Sequence, residues 1–427
     1  MARHLLLLAA LALSSPALAE DDGRFTIAVI PDTQNYLDYK HQTSEGFPFD
    51  ASKLFLEQME YIAANTETEG GQIAFVTSLG DTWQNQSLEI DPGHAMRGFH
   101  AVPNPHFWSP IRYTKKTLEV EMPMAQRGFR LIAGKVPFSV VPGNHDYDAM
   151  WTDSQFPPAA RFDPSDISTL GIEHPGGLSN FRAVFGEYTE FFRHQPWYIS
   201  ANDGGADSAQ IFEAEGYRFL HIGLQFDPPD SSLEWAARVI ASHPGLPTII
   251  STHDYMNSSG ERRSSSTVDG AKVDPANNSP EQVWQKLISR HDQIFLVLCG
   301  HQNGQAFRVD QNANGNPVYQ ILADYQDRWQ SAKDAGIVAN NGSLSVGDGW
   351  FRLLDFDMTG RNPSVHVHTY STHLDRESQD TPQYADWYKD GEQPGLSDAE
   401  FHAADDYRFE IVGFADRFPN QENKIVH

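Results

Sequence analysis

Two kinds of segment alternate along the first three quarters of the chain. Short, nearly unbroken apolar runs stand at residues 25–31 (FTIAVIP), 73–80 (IAFVTSLG), 136–143 (VPFSVVPG), 218–226 (RFLHIGLQF), 246–252 (LPTIIST) and 293–300 (QIFLVLCG). Runs with so little polar alternation predict strands covered on both faces. Helical apolar spacing predicts helices over 52–65 before the second run, 233–243 before the fifth and 280–291 before the sixth. Strand and helix in alternation predict an α/β chain. Beyond residue 317 the helical signals thin out: 318–326, 349–358, 363–371 and 406–414 read as strands. They suggest a second, more antiparallel sheet packed on the first as a layered sandwich.

Several segments interrupt this order. Insertions are expected near 90–130 and 150–195, both rich in Pro, Gly and aromatic residues, and at 258–280, which is rich in Ser, Asn and Asp. Residues 375–405 read as an acidic, solvated excursion. No linker separates two independent units, so one domain over 20–427 is expected. Residues 1–19 read as a signal peptide: Arg3 and His4, the apolar stretch 5–13, then Ala17-Leu18-Ala19 as a cleavage site. The expectation is therefore a secreted or periplasmic protein with no membrane anchor once the leader is cut.

Composition narrows the partners. Formal net charge is -26, which repels nucleic acid and anionic lipid at long range. No nucleic acid binding is expected, and a polyanionic substrate needs local positive charge to approach. The one cysteine, Cys299, excludes intramolecular disulfides and reads as a buried apolar residue at a strand end.

The chemistry stands where the strands stop. Asp32 and Gln34 follow the first, Asp81 the second, and Asn144-His145-Asp146 the third. His253 and Asp254 follow the fifth; His301, Gln302 and Asn303 follow the sixth. Ligands of α/β sheets gather beyond the carboxyl ends of strands. Carboxylate, amide and imidazole groups converging there suit divalent metals, and a pair of such ions can clamp a phosphoryl group and acidify a water.

These blocks, D-x-Q, GD, GNHD, H and GH-x-N in that order, resemble the calcineurin-like metallophosphoesterase superfamily across about residues 25–370. PDTQ, DYQ and GWFRLL resemble its secreted bacterial branch. The resemblance implies an α-β-β-α sandwich of two mixed sheets and a metal-dependent phosphatase or phosphodiesterase acting on a phosphoester. It implies two divalent ions (Mn, Fe, Zn, Mg or Ca) bridged by Asp81. One ion would be held by Asp32, Gln34 and Asn303, the other by Asn144, His253 and His301. It further implies metal-bound hydroxide as nucleophile, His145 as general acid, and Asp146 orienting the His145 ring or tuning its pKa. Gln34 and Asn303 stand where histidine is usual in the family, so the first ion site is expected to be harder and weaker. The alternatives are a serine/threonine-type protein phosphatase, or a catalytically inactive metal- or phosphate-binding protein of the same fold.

Other residues read more plainly. Asp254 is expected to support a ligand or cap a turn, and His366 and His368 to share a partly solvated strand face. His94, His100 and His106 lie in the first insertion without ligand spacing, at the cleft mouth or the surface. Residues 310–315 open like a calcium loop, but Ile321 stands where the bidentate Glu belongs, so a hairpin turn is expected. Trp83, Tyr147, Trp151, Arg328 and Trp329 follow the site blocks and are open either to substrate or to the core.

Overall fold

The computed structural model describes residues 23–106, 113–337 and 345–419. The leader expected at 1–19 lies outside them. All six apolar runs form strands. The first sheet contains β1 (Arg24–Ile30), β2 (Ile73–Ser78) and β3 (Phe138–Val140). A hairpin in the second insertion pairs β4 (Ala149–Thr152) with β5 (Glu173–Gly176). The second sheet contains β6 (Tyr198–Asn202), β7 (Asp207–Ala214), β8 (Tyr217–Gly223), β9 (Thr248–Ser251), β10 (Ile294–Cys299), β11 (Gly304–Gln311) and β12 (Pro317–Asp324). The chain then returns to the first sheet with β13 (Trp350–Asp357), β14 (Ser364–Ser371), β15 (Arg376–Glu377) and β16 (Tyr407–Glu410).

Among the described residues both large sheets are seven-stranded and mixed. The first runs β15-β14-β13-β1-β2-β3, with β16 also on β14; the second runs β11-β12-β10-β9-β8-β7-β6. In the first, β1, β2 and β3 are parallel and β13 lies antiparallel to β1. In the second, β8, β9, β10 and β12 are parallel. The two parallel blocks therefore bring their carboxyl ends to one region.

The late strands correct one expectation. They do not make a sheet of their own: β12 extends the parallel block beside β10, while β13, β14 and β16 complete the first sheet beyond β1. The reason lies in β1 itself. It is buried from Phe25 to Ile30 and has β2 on one side only, so its other edge of backbone donors and acceptors needs a partner. β13 supplies it.

A core of apolar side chains fills the space between the sheets. Phe25 stacks on Phe356 at 4.7 Å, and Phe75 on Phe212 at 4.6 Å. Each such aromatic pair adds about 0.5–1.5 kcal/mol beyond area burial. The helices Ser52–Ala64 and Met122–Ile132 cover the outer face of the first sheet, packing Phe55 and Phe129 against Phe138. The helices Asp230–Ser242 and Pro280–Lys286 cover the second sheet through Trp235, Val239 and Trp284. The architecture is thus mixed α/β, with two large mixed sheets between helical layers. No helix among the described residues is long and apolar enough to cross a membrane.

Residues 310–315 form the tip of the β11–β12 hairpin, where Asn312 accepts from the amides of Asn314 and Asn316 at 2.9 and 3.0 Å. Cys299 is buried, as expected. The acidic stretch 375–405 is folded, with most of its acids exposed. It contains the helices Tyr384–Glu392 and Asp398–Asp405, which bury Tyr384, Tyr388 and Phe401. Its last acid, Asp405, is fully buried against Arg352 and Arg328. Removing one partner from such a buried ion network costs about 3–5 kcal/mol. Glu392 also pairs with Arg328, at 2.8 Å.

Candidate metal centre

Each predicted ligand sits one turn beyond a strand. Asp32 follows β1, Asp81 follows β2, Asn144 and His145 follow β3, His253 follows β9 and His301 follows β10. Asp32, Asp81, His253 and His301 each bring one ligand atom within 4.8 Å of the others. Asn144 joins them, its Oδ1 at 3.0 Å from His253 Nε2. The loops must approach one another closely for this. A Cβ on Gly143 would overlap the Asp81 carboxylate, and one on Gly300 would overlap that of Asp32. Asp81 and His301 themselves hold left-handed backbone, with φ of 49° and 69°. Strain of that kind costs of order 1–3 kcal/mol per residue and concentrates at functional sites.

The hydrogen-bond inventory fits a candidate cation site. His253 Nδ1 donates to the Leu79 carbonyl at 2.7 Å, so in the neutral ring Nε2 carries a lone pair. That lone pair faces Asp81 Oδ1 at 3.2 Å, Asn144 Oδ1 at 3.0 Å and His301 Nδ1 at 3.1 Å. Buried acceptors facing acceptors cost about 1–3 kcal/mol each unless a proton or a cation stands between them. Without a metal the proton is forced in. Burial alone would push His253 down, but the carboxylates of Asp81 and Asp32 outweigh it and hold the ring well above its usual range. Burial and that neighbouring charge push His301 down to about 3. The two carboxylates also part: burial and Asp324 raise Asp32 far above the ordinary range, while His253 and His145 overcome burial and hold Asp81 well below it. A divalent ion would remove this conflict for all four groups at once.

The amide positions are arranged differently. Gln34 turns its NH2 toward Asp81 Oδ2 at 3.1 Å and toward Gln326, leaving its buried Oε1 without a partner. Asn303 donates to Asp327 and accepts from Gln326 at 3.3 Å. Gln34, Gln326 and Asn303 form one chain of amides along the side of the centre nearest Asp324. Asp324 is fully buried, and burial raises it to about 8. Sequence reasoning passed over Asp324, Gln326 and Asp327. Their signal was the polar end of β12, a fourth parallel strand stopping at the same edge.

His145 is partly exposed beside the cluster, with Nε2 3.9 Å from Asp81 Oδ2. Its orienting partner is the Gln84 carbonyl, 2.7 Å from Nδ1, and not Asp146. The Asp146 carboxylate instead accepts from the amides of Thr82 and Gly143, both at 2.9 Å. It is fully buried, and burial with the Asp81 charge raises it to about 7. The short 3-10 turn at Asn144–Asp146 sends consecutive side chains in different directions. Asp146 therefore ties the β2 and β3 loops together while His145 faces outward.

A cleft of about 530 Å³ opens over the centre, bounded by Asn144, His145, His301, Asn303 and Gln326 on its floor. Residues 257–268 form a wall that includes Arg263. Asp254 supports that wall, accepting from Ser265 N at 2.7 Å and Gln302 Nε2 at 2.6 Å. Of the aromatic positions, Trp83, Tyr147 and Trp151 are buried in the core, while Trp329 is exposed. Arg328 is also buried, held by Glu392 and Asp405 and packed on Tyr325, Tyr384 and Tyr388.

No family model matches the chain. It is similar to the uncharacterized protein YvnB of Bacillus subtilis (strain 168), 26% identical over 258 residues. That match covers 58% of this chain and spans only 15% of the length of YvnB. Among solved structures it is similar, at a TM-score of 0.35 and 11% identity, to GAP50, the anchor in the inner membrane complex of Plasmodium. That similarity covers 83% of this chain and 86% of GAP50.

Proposed function

We infer that the protein is a metal-dependent phosphoester hydrolase of the calcineurin-like metallophosphoesterase type, acting outside the cytoplasm. The observation that carries this reading is the acceptor-only contact of Asp81, Asn144, His253 and His301 at the ends of parallel strands from two sheets. Asp32, Asp81, Asn144, His253 and His301 would hold divalent metal there. Ions bound there would supply Lewis acidity toward a phosphoryl oxygen and toward an attacking water.

The rest is the work of the chain. Asp32, Asp81, Asn144, His253 and His301 hold the reacting centre at the cleft floor on short, strained loops. The Gln84 carbonyl fixes His145 Nδ1 as a donor and leaves Nε2 to give a proton to the departing oxygen. Asp146 keeps the His145 and Asp81 loops in register. Arg263 is the one guanidinium on the cleft wall among the described residues and offers the ester a positive contact in an otherwise acidic protein.

A catalytically silent metal-binding protein is favoured by one observation: Gln34 and Asn303 point NH2 groups, not oxygens, at neighbouring carboxylates. Hydrolysis of p-nitrophenyl phosphate and its bis ester by metal-stripped protein, with Mn, Mg, Ca, Zn or Fe added back singly, separates the two. Turnover that depends on added metal and falls in Asp81→Ala supports the hydrolase. Metal binding by folded protein without turnover of either ester supports the silent binder.

A further inference from the structure

A second set of histidines lies in the insertions, away from the strand ends. His94 lies in the short helix Pro92–Met96 of the first insertion, His174 lies on β5 of the second, and Asp274 closes the short helix Gly270–Val273 of the third. One ligand atom from each lies within 4.8 Å of the other two. His94 Nε2 stands 3.8 Å from Asp274 Oδ2, and the two imidazole rings are 4.9 Å apart. Bonds of about 2.0–2.2 Å around a tetrahedral ion need ligand atoms roughly 3.3–3.5 Å from one another, which a small rotation of these side chains reaches.

The other ring nitrogens are already committed. His94 Nδ1 bonds Asp91 Oδ2 at 2.7 Å, and His174 Nδ1 bonds Asp153 Oδ2 at 2.9 Å. A carboxylate on the far nitrogen is the arrangement that fixes a metal-binding histidine in tautomer and direction. It leaves both Nε2 lone pairs facing inward. His174 is fully buried, and its Nε2 has no hydrogen-bond partner. A buried nitrogen without a partner is unfavourable, and hydrogen bonds elsewhere in the ring do not offset it. The formal charges also leave room for an ion. Asp91, Asp153 and Asp274 carry three negative charges, and Arg97, bonded to Asp274 at 2.6 Å, returns one. A divalent cation closes the difference.

The geometry points to a second, mononuclear metal site, of the zinc class, with His94, His174 and Asp274 as ligands and water in the fourth position. Asp91 and Asp153 hold the two rings. Two histidines with one carboxylate suit Zn2+ better than Mg2+ or Ca2+, which prefer all-oxygen shells. The site adds a clamp to three insertions that already touch through the bridges Ala101 with Asp153 and Glu173 with Val268, the Arg97–Asp274 ion pair and the Asn104–Thr152 hydrogen bond. It also connects to the cleft: β5 alternates, so that Glu173 lines the cleft wall while His174 faces the clamp. The ion therefore sets the position of that wall without touching the strand-end centre.

Zinc content separates the two sites. Full-length protein equilibrated with Zn2+ and desalted is assayed by mass spectrometry as wild type, as His94→Gln/His174→Gln, and as Asp81→Ala/His253→Ala. Circular dichroism reports the fold of each. The expected result is one zinc equivalent fewer in the His94/His174 variant, and one retained equivalent when the strand-end centre is broken. Co2+ in that retained site shows the visible bands of four-coordinate nitrogen and oxygen ligation. In the wild type, chelation speeds hydrogen exchange in 88–102, 150–176 and 266–276 together. Equal zinc in wild type and the His94/His174 variant overturns the proposal. So does a folded Asp81→Ala/His253→Ala protein that binds no zinc. His94→Gln alone, at a partly exposed position, keeps the test decisive if the double variant unfolds: it must lose the same equivalent.

Discussion

The strand-end cluster and the insertion cluster are made of the same residue types, yet the molecule builds them in opposite ways. At the strand ends the sheets do the positioning: five side chains, each two to four residues beyond a rigid parallel strand, converge. In the insertions there is little sheet to position anything, and His94, His174 and Asp274 hold three loops by meeting. The first arrangement keeps an open cleft beside it, as chemistry requires. The second closes on itself, with His174 fully buried. A third group, Asp355, His366 and His368, shows what such a cluster looks like when protons suffice. Both nitrogens of His368 meet carboxylates, Asp355 at 3.0 Å and Glu377 at 3.1 Å, so the ring is an ion-paired imidazolium with no lone pair to offer. The direction in which imidazole lone pairs face, more than the count of histidines, separates a metal site from a salt bridge.

The largest effect expected is at Asp81, which touches Gln34, His253 and the His145 amide. Asp81→Ala is predicted to lower metal-dependent kcat/KM by roughly 10³-fold or more while leaving the insertion zinc in place. Measuring rate and metal content on the same sample checks both halves. Loss of zinc from both regions would break the comparison. His145→Ala is predicted to cost about 10²–10⁴-fold in kcat on alkyl phosphates. The loss should be much smaller on p-nitrophenyl esters, whose leaving group needs little help. Equal losses on both would remove His145 from the proton-donor role.

Asp153→Asn tests the other region more gently. It keeps the shape at His174 but weakens the bond that aims the ring, and zinc affinity should fall about 10–100-fold with turnover at the strand ends nearly unchanged. Zinc titration with a competing chelator reads the first effect, and steady-state kinetics the second.

The expected strands at 25–31, 73–80, 136–143, 218–226, 246–252 and 293–300, and the polar groups beyond five of them, were legible because each group is written in a short block beside an apolar run. Asp32, Asp81, Asn144, His253 and His301 each adjoin an apolar run, and order along the chain is enough to suggest convergence. Which sheet the late strands join was not legible: β12 and β13 have similar apolar patterns, and only the open edges of β10 and β1 decide between them. That Asp146 turns away from the His145 ring was not legible, because neighbouring residues in a 3-10 turn diverge, a fact of backbone geometry invisible in the letters. The insertion cluster was not legible at all. His94 stands 80 residues before His174 and 180 before Asp274, and none of them adjoins a patterned run. Their meeting depends on how three irregular loops fold back on one another.

The remaining predictions sharpen the contrast at smaller scale. Burial would lower His368, but Asp355 and Glu377 outweigh it and raise the ring to about 9. Because this is above the unfolded value, the stabilisation is complete below about pH 6.5 and is lost as pH rises through about 9. His368→Asn should therefore lose on the order of 2 kcal/mol more stability at pH 6 than at pH 10, read by urea unfolding at the two pH values. A pH-independent loss would mean that His368 is not an ion-paired ring. Smallest of all, Arg263→Ala should raise KM for a phosphomonoester by roughly 2- to 5-fold with kcat nearly unchanged, because the guanidinium is exposed and screened. A fall in kcat alone would place Arg263 among the groups that act in the transition state.

The most direct test of the strand-end centre is anomalous diffraction from crystals of the protein soaked in Mn2+. The account predicts anomalous density among Asp32, Asp81, Asn144, His253 and His301, with Asp81 touching both ions where two are bound. Well-ordered crystals with the cluster intact and no density there, or density confined to His94, His174 and Asp274, would contradict it.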